Sequence, residues 1–286
     1  MIKKVGIIHH PTRRKALDIV KSLHSEFEKA GVAIAYSIAL EDWRSVNLQA
    51  FSSVDLVVSV GGDGTVIRVS HLILDANCRI PIWPIAAGEF NFMPDRVNPR
   101  DIHKAVSRLI SGDYFLWNRP VMQVMNSTSN KKLFINDVVF VKDRPLDILD
   151  ISVFIENEHI GSIKGDGLVI ATSAGSTAYS LSAGGPIIDS NAPVYVLTAL
   201  NPHHITIRPI VVSDEKTTNI CIGDKPWHLL IDGLSDMLYT KKACFDISRM
   251  EDVVLSYLHV TGFYSWVDNI REKFHWGSRY VESDNS

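Results

Sequence analysis

The chain is poor in cysteine, has no long apolar run and carries no excess of positive charge, and each shortage removes a class of protein. Its 286 residues hold three cysteines, Cys78, Cys221 and Cys244, with no CxxC pairing and no metal-like spacing. That spacing offers no metal site and no paired-cysteine motif, and the reducing cytoplasm is the expected compartment. No stretch approaches a membrane-spanning length, and the apolar run in MIKKVGIIHHPTRR is too short for the core of a signal peptide. A net charge of −3 gives no broad basic field, so general nucleic-acid binding is not expected. There is no internal repeat or low-complexity segment, no GxxxxGK[ST] loop and no GxGxxG fingerprint. What remains is 46% apolar and 21% charged, the balance of a globular protein long enough for two domains.

The first hundred or so residues alternate strand with helix. KVGIIHH, VAIAYSI, VDLVVSV and RIPIWPIAA read as strands, with Pro84 arguing for an edge or an early end in the last. RRKALDIVKSLHSEFEKAG, TVIRVSHLILD and PRDIHKAVSRLISGD read as helices, the first and third closed by Gly31 and Gly112. Apolar strands between helices predict a mostly parallel sheet, with ligands beyond the carboxyl ends of its strands. From about Tyr114 the segments are short, β-branched and aromatic (RPVMQVMN, KLFINDVVFV, LDILDISVFIEN and onward), which predicts an antiparallel β-sandwich. The expected division is an α/β domain over 1–112, a β-sandwich over 113–256, and a tail over 257–286 whose near-helical apolar spacing returns it to the first domain. A cleft between two domains is the expected ligand site.

Three motifs carry chemistry. GGDGT at 61–65 sits where a buried strand hands over to a helix. Glycines there let backbone N–H groups and the positive helix end approach a phosphate, through Gly61 and Gly62. A carboxylate beside them, Asp63, suits an enzyme that must take a proton from a hydroxyl, worth about 10²–10⁴-fold. The competing reading is a tight turn in which Asp63 caps the helix. The second motif, KGDGLVIATSAGSTAYSLSAGGPII at 164–188, follows a strand with small and hydroxylic residues. Thr177, Tyr179 and Ser182 offer hydroxyls there, and Tyr179 can stack on a ring. The third is Asn136–Asp137 inside LFINDVVF: strand alternation sends neighbours to opposite faces, so both serve one ligand only at a bulge or strand end. His9–His10 and His203–His204 resemble no metal site, Arg208 is expected in a structural ion pair, and Trp83 in the core.

Taken together, GGDGT, ND at 136–137, GDGLVIATSAGSTAYSLSAGGPI at 165–187 and PHHITIRPIVV at 202–212 resemble the NAD kinase family, in order along most of the chain. GGDGT is shared with lipid and sphingoid kinases; GSTAYSLSAGG is far more specific. The resemblance implies an α/β domain plus a β-sandwich, ATP as phosphoryl donor, Mg²⁺, and a homodimer or homotetramer without nucleic-acid or membrane partners. It implies phosphorylation of the 2′-hydroxyl of the adenosine ribose of NAD. Asp63 is then the base with Gly64 beside it, and Asn136, Asp137, Lys164, Asp166, Thr177, Ala178, Tyr179 and Ser182 bind the dinucleotide.

The chain departs from the family at AAGEFNFMPD, 86–95, where NxGxLGFL is usual. Ala86 replaces an Asn, Phe90 a Leu and Asn91 a Gly, the last a concern if the position needs positive φ. A further departure is Leu234 in IDGLSD, where Gln is common. Part of the site wall is thus altered, which leaves a dinucleotide-binding sensor or a kinase with a shifted substrate as alternatives.

Overall fold

The computed structural model describes residues 2–45, 48–88 and 91–275. Phe90, one of the departures above, and the last residues of the tail lie outside the described residues. The chain divides into two units, 1–118 with 255–286, and 119–254.

In the first unit, β1 (Lys4–His9), α1 (Arg14–Lys29), β2 (Ala33–Ala39), β3 (Leu56–Gly61), α2 (Asp63–Asp75), β4 (Ile82–Ala86) and α3 (Ile102–Ser111) follow in βαβ order. The strands pair in parallel in the order β2-β1-β3-β4. α1 buries Ala16, Ile19, Val20, Leu23 and Phe27, one face of a 3.6-residue repeat, onto Val5, Ile7, Val58 and Trp83. Gly112 closes α3 with φ 83°, the left-handed cap its position predicts. Pro84 does not mark an edge, because β4 lies between β3 and the strand Ala243–Val260 in the sheet order. The reason is direction: the Pro84 carbonyl accepts from Asp95 N–H and Ala86 N–H donates to the Asp95 carbonyl, so Pro84 faces away from β3 and its missing N–H breaks no bond of that ladder.

The second unit holds β5 (Tyr114–Asn126), which starts in the first unit, then β6 (Lys131–Phe134), β7 (Asp137–Lys142), β8 (Leu149–Ile155), β9 (Glu158–Gly165) and β10 (Gly167–Thr172). It continues with the short helix α4 (Tyr179–Ser182), β11 (Val194–Leu200), β12 (Ile210–Ser213), β13 (Thr218–Ile222), β14 (Trp227–Ile231) and β15 (Ser235–Tyr239). One antiparallel sheet runs β12-β11-β10-β7-β14-β15. A second is formed by β9, β8, β13 and the start of β16 (Ala243–Val260). Phe140, Leu168, Ile170 and Trp227 from the first meet Ile151, Val153, Ile220 and Phe245 from the second in one core, the sandwich that the period-2 pattern predicts. Cys221 and Cys244 face each other in the β13–β16 register and are disulfide-linked, a pairing across 23 residues that no CxxC spacing announces.

The end of β16 lies in the first unit, where Tyr257 pairs with Ile82 and the buried Asp95 accepts from Trp83 Nε1 and Val260 N–H and meets His259 Nδ1. α5 (Trp266–Phe274) follows, its Ser265 cap accepting from Asp268 N–H. The tail segment LHV is therefore strand, and only the later part is helix. No helix among the described residues is long and apolar enough to cross a membrane.

Candidate active site

In the first unit the fully buried β3 delivers GGDG at its carboxyl end. Gly61 is glycine because a Cβ there would stand 2.2 Å from Thr65 Oγ1, whereas at Gly64 nothing lies within 4 Å. The first is fixed by packing, and the second leaves open space at the start of α2. Asp63 is the first residue of α2, but it does not cap that helix; the turn reading is replaced by a longer-range one. Its Oδ1 accepts from Phe92 N–H and Met93 N–H, both at 3.0 Å, and its Oδ2 from Phe92 N–H at 2.9 Å. One oxygen is thus doubly engaged, and the other keeps a lone pair. Asp63 is half-buried. Burial pushes that carboxyl up, against the two N–H groups and the Lys273 ammonium, which pull it down.

The altered wall has its own logic. Asn91 is not in the left-handed region; its side chain donates to the Gly88 carbonyl at 2.7 Å, and a Cβ on Gly62 would lie 3.0 Å from its Oδ1. Asn91 is thus built into the loop rather than tolerated in it. Ala86 and Gly88 line a cavity of about 350 Å³ together with Lys15, Asn91, Arg96 and Lys273.

In the second unit LFINDVVF is two strands, β6 and β7, interrupted at Ile135–Asn136. The cause is Asp232, whose carboxylate accepts from Ile135 N–H (2.8 Å), Asn136 N–H (2.7 Å) and Asp137 N–H (2.9 Å). Three N–H groups converging on one carboxylate leave no ladder there, so a strand end intervenes as the Asn136–Asp137 pair requires. Asp232 and Gly233 take φ 50° and 64°, the positive values that an Asp-Gly hairpin loop favours. Asp232 went unnoticed in the sequence; the IDG turn after an apolar run was the available signal. Gly175 approaches so closely that its Cβ would stand 2.1 Å from the Asn136 carbonyl, and Thr172 Oγ1 links the two loops by donating to the Ile135 carbonyl and accepting from Gly175 N–H.

The hydroxyl-rich loop then sorts itself. Ser176 and Ser180 are buried and spent on the Ser173 carbonyl and on Thr198. Tyr179 and Ser182 are exposed, and Thr177 and Ala178 are half-buried. The Tyr179 N–H reaches the Asp137 carboxylate, so Asn136, Asp137 and 177–179 form one cluster. Lys164 and Asp166 do not join it. Asp166 pairs with Lys142 Nζ at 2.6 Å and accepts from Asn201 Nδ2 at 2.8 Å, beside Gly167, while the loop starts after Thr172 at the other end of β10. Six residues of strand separate the ends by about 17 Å. The glycines of this second GDG are packing glycines: a Cβ on Gly165 or Gly167 would meet the Leu200 carbonyl at 2.8 Å or the Phe140 carbonyl at 2.1 Å. Arg208 makes no ion pair among the described residues; its guanidinium donates to the Ile205 and Ile207 carbonyls. His203 and His204 are exposed.

Asp137 is 6% exposed, and burial together with the Asp232 charge pushes its carboxyl up to about 7. A folded value above the unfolded one near 4 makes this a stabilising proton: its contribution is complete below the unfolded value and disappears as pH rises through about 7. Urea titrations at pH 5 and pH 8 should therefore show wild type losing on the order of 2–4 kcal/mol more than Asp137→Asn across that interval. Equal losses in the two proteins would mean that Asp137 is not protonated in the fold.

Comparison with known proteins bears on the chain's family. The ATP-NAD kinase N-terminal domain model matches residues 5–114, and the ATP-NAD kinase C-terminal domain model residues 135–254. An NAD kinase of Chlorobaculum tepidum is 31% identical over 82% of this chain and 84% of its own length. One of Chloroherpeton thalassium is 32% identical over 96% and 98%. Among solved structures, a yeast NADH kinase complexed with NADH superposes with TM-score 0.83 at 21% identity, covering 99% of this chain and 90% of its own. An Archaeoglobus fulgidus NAD kinase in complex with ATP gives 0.77 at 19%, covering 94% and 98%. With both halves matched in order and relatives of this identity covering nearly the whole length, the chain belongs to the NAD kinase family.

Proposed function

We propose that the protein transfers the γ-phosphoryl group of ATP to the 2′-hydroxyl of the adenosine ribose of NAD, giving NADP, with Asp63 as the base. The observation that carries the reading is the Asp63 carboxylate: two backbone N–H groups fix its plane, while Oδ2 keeps a lone pair for a hydroxyl proton. Burial brings the group closer to the working pH, which suits a general base. The open space beside Gly64 supports an approach by phosphate at the start of α2, where the unpaired N–H groups of a helix favour anions. In the second unit, the exposed Tyr179 and Ser182, with Asn136, Asp137, Thr177 and Ala178, are the surface we assign to the dinucleotide. Lys164 and Asp166 belong to that assignment only through a separate part of the ligand, given their place at the far end of β10.

No group of three or more His, Cys, Asp or Glu among the described residues forms a metal cage. Mg²⁺ would arrive on the donor's phosphates, with one or two carboxylates from the protein, and would supply charge neutralisation there. Family membership through both halves favours NAD over a lipid or sphingoid base as acceptor. Self-association is supported by an apolar area in the second unit: Ile205, Ile210, Val211 and Ile160 are 83%, 44%, 49% and 45% exposed.

Two outcomes follow. With Mg-ATP and NAD, wild type should form NADP, and Asp63→Asn should lose about 10²–10⁴-fold in turnover while still binding NAD by calorimetry. Asn keeps one oxygen for the Phe92 and Met93 N–H groups, so the fold is expected to survive. A mutant retaining more than about a tenth of the wild-type rate is too active for the base assignment. NAD binding without NADP formation in wild type would favour a sensor. Separately, light scattering should give a dimer or tetramer, broken by Ile205→Glu with Ile210→Glu; a monomeric wild type contradicts the proposed assembly.

A further inference from the structure

α5 is held against the loop that orients Asp63 by five contacts, all within the first unit. Asn269 Nδ2 donates to the Phe92 carbonyl at 3.1 Å, and Arg96 donates to Asn269 Oδ1 and pairs with Glu272. The Phe274 ring stacks on Phe92 with centroids 5.5 Å apart, and Lys273 Nζ stands 4.7 Å from the centroid of the Phe92 ring. Phe92 is the residue whose N–H is shared by both Asp63 oxygens. One helix from the far end of the sequence thus grips the residue that sets the plane of the carboxylate, and it brings an ammonium to the same place.

We propose that Lys273 is a positioning residue for Asp63, its ammonium set over the ring of Phe92, whose N–H holds the carboxylate, so that Asp63 remains an oriented anion able to accept the hydroxyl proton. The inference rests on the reading of Asp63 as the base. Taking Asp63 out of water favours its neutral acid, which cannot act as a base; a cation alongside opposes that change. The interaction is mutual: burial lowers the Lys273 ammonium and Asp63 raises it. The other charged groups around the pair are Arg96 and Glu272, which neutralise each other, and Lys15, which lines the same cavity. Arg13 stands at Gly88, where its Nη1 would be 2.3 Å from an added Cβ. Lys273 is the one whose charge acts directly on Asp63.

The test uses full-length wild type, Lys273→Met and Lys273→Arg, labelled with carbon-13 at the aspartate carboxyl, the Asp63 signal being assigned by its loss in Asp63→Asn. Titration by NMR should move the Asp63 midpoint up by about half a unit or more in Lys273→Met, within the range one neighbouring charge produces. Lys273→Arg should return it to the wild-type value. The acidic limb of kcat/KM for NADP formation should move by the same amount, with KM for NAD unchanged. An unmoved Asp63 midpoint in Lys273→Met overturns the proposal, whatever happens to the rate; if that variant fails to fold, Lys273→Gln is read in the same way. A shifted midpoint in a protein that makes no NADP would uphold the action of Lys273 on Asp63 and reject the base reading instead.

Discussion

Two carboxylates gather backbone N–H groups from distant loops, and the arrangement of both candidate clusters depends on them. Asp63 collects Phe92 and Met93, and Asp232 collects Ile135, Asn136 and Asp137. A hydrogen bond to a charged acceptor is worth about 1.5–3 kcal/mol, more than a neutral one, and its absence leaves a donor unsatisfied. Each carboxylate therefore does what a strand ladder cannot: it holds an irregular stretch in one conformation. In the first unit the stretch is the altered wall after β4; in the second it is the gap between β6 and β7 that frees Asn136 and Asp137.

The chain uses the dipeptide Asp-Gly in three ways, and this marks how far the sequence could be read. Asp63–Gly64 and Asp232–Gly233 each follow an apolar strand, and Asp166–Gly167 precedes one, so in sequence all three read as turns. The alternation of β-strands and helices, the glycine stops and the period-2 strands of the sandwich are local properties and were legible. The partners of the three acids were not, because they lie 29 or 30 residues away for Asp63 and 95–97 for Asp232. The second GDG is closely packed by its glycines and holds an ion pair. The pairing of Cys221 with Cys244 and the direction in which Pro84 faces were hidden for the same reason, since both are set by register between strands.

Within the hydroxyl-rich loop the sequence offered more polar groups than a ligand can use, and burial divided them. Ser176, Ser180 and Thr172 hold the loop to its own framework, while Thr177, Tyr179 and Ser182 are left toward the surface. The departures from the family at 86–91 also take on a different sense. Asn91 bonds to Gly88 and abuts Gly62, so the altered stretch is packed against the glycine loop. Its neighbours Phe92 and Met93 supply the donors of Asp63. The altered wall thus holds the Asp63 carboxylate in one orientation.

If the Asp232 carboxylate holds the conformation that the assigned dinucleotide surface needs, weakening it must loosen the loop and the ligand together. Amide exchange at 135–137 and NAD calorimetry on Asp232→Asn measure both. The Ile135, Asn136 and Asp137 amides should lose protection and NAD affinity should fall at least about tenfold, the worth of one such bond. Exchange at Phe140 in the sandwich core should stay as it was. Unchanged NAD affinity with unprotected amides would mean that NAD binding does not need this loop held by Asp232.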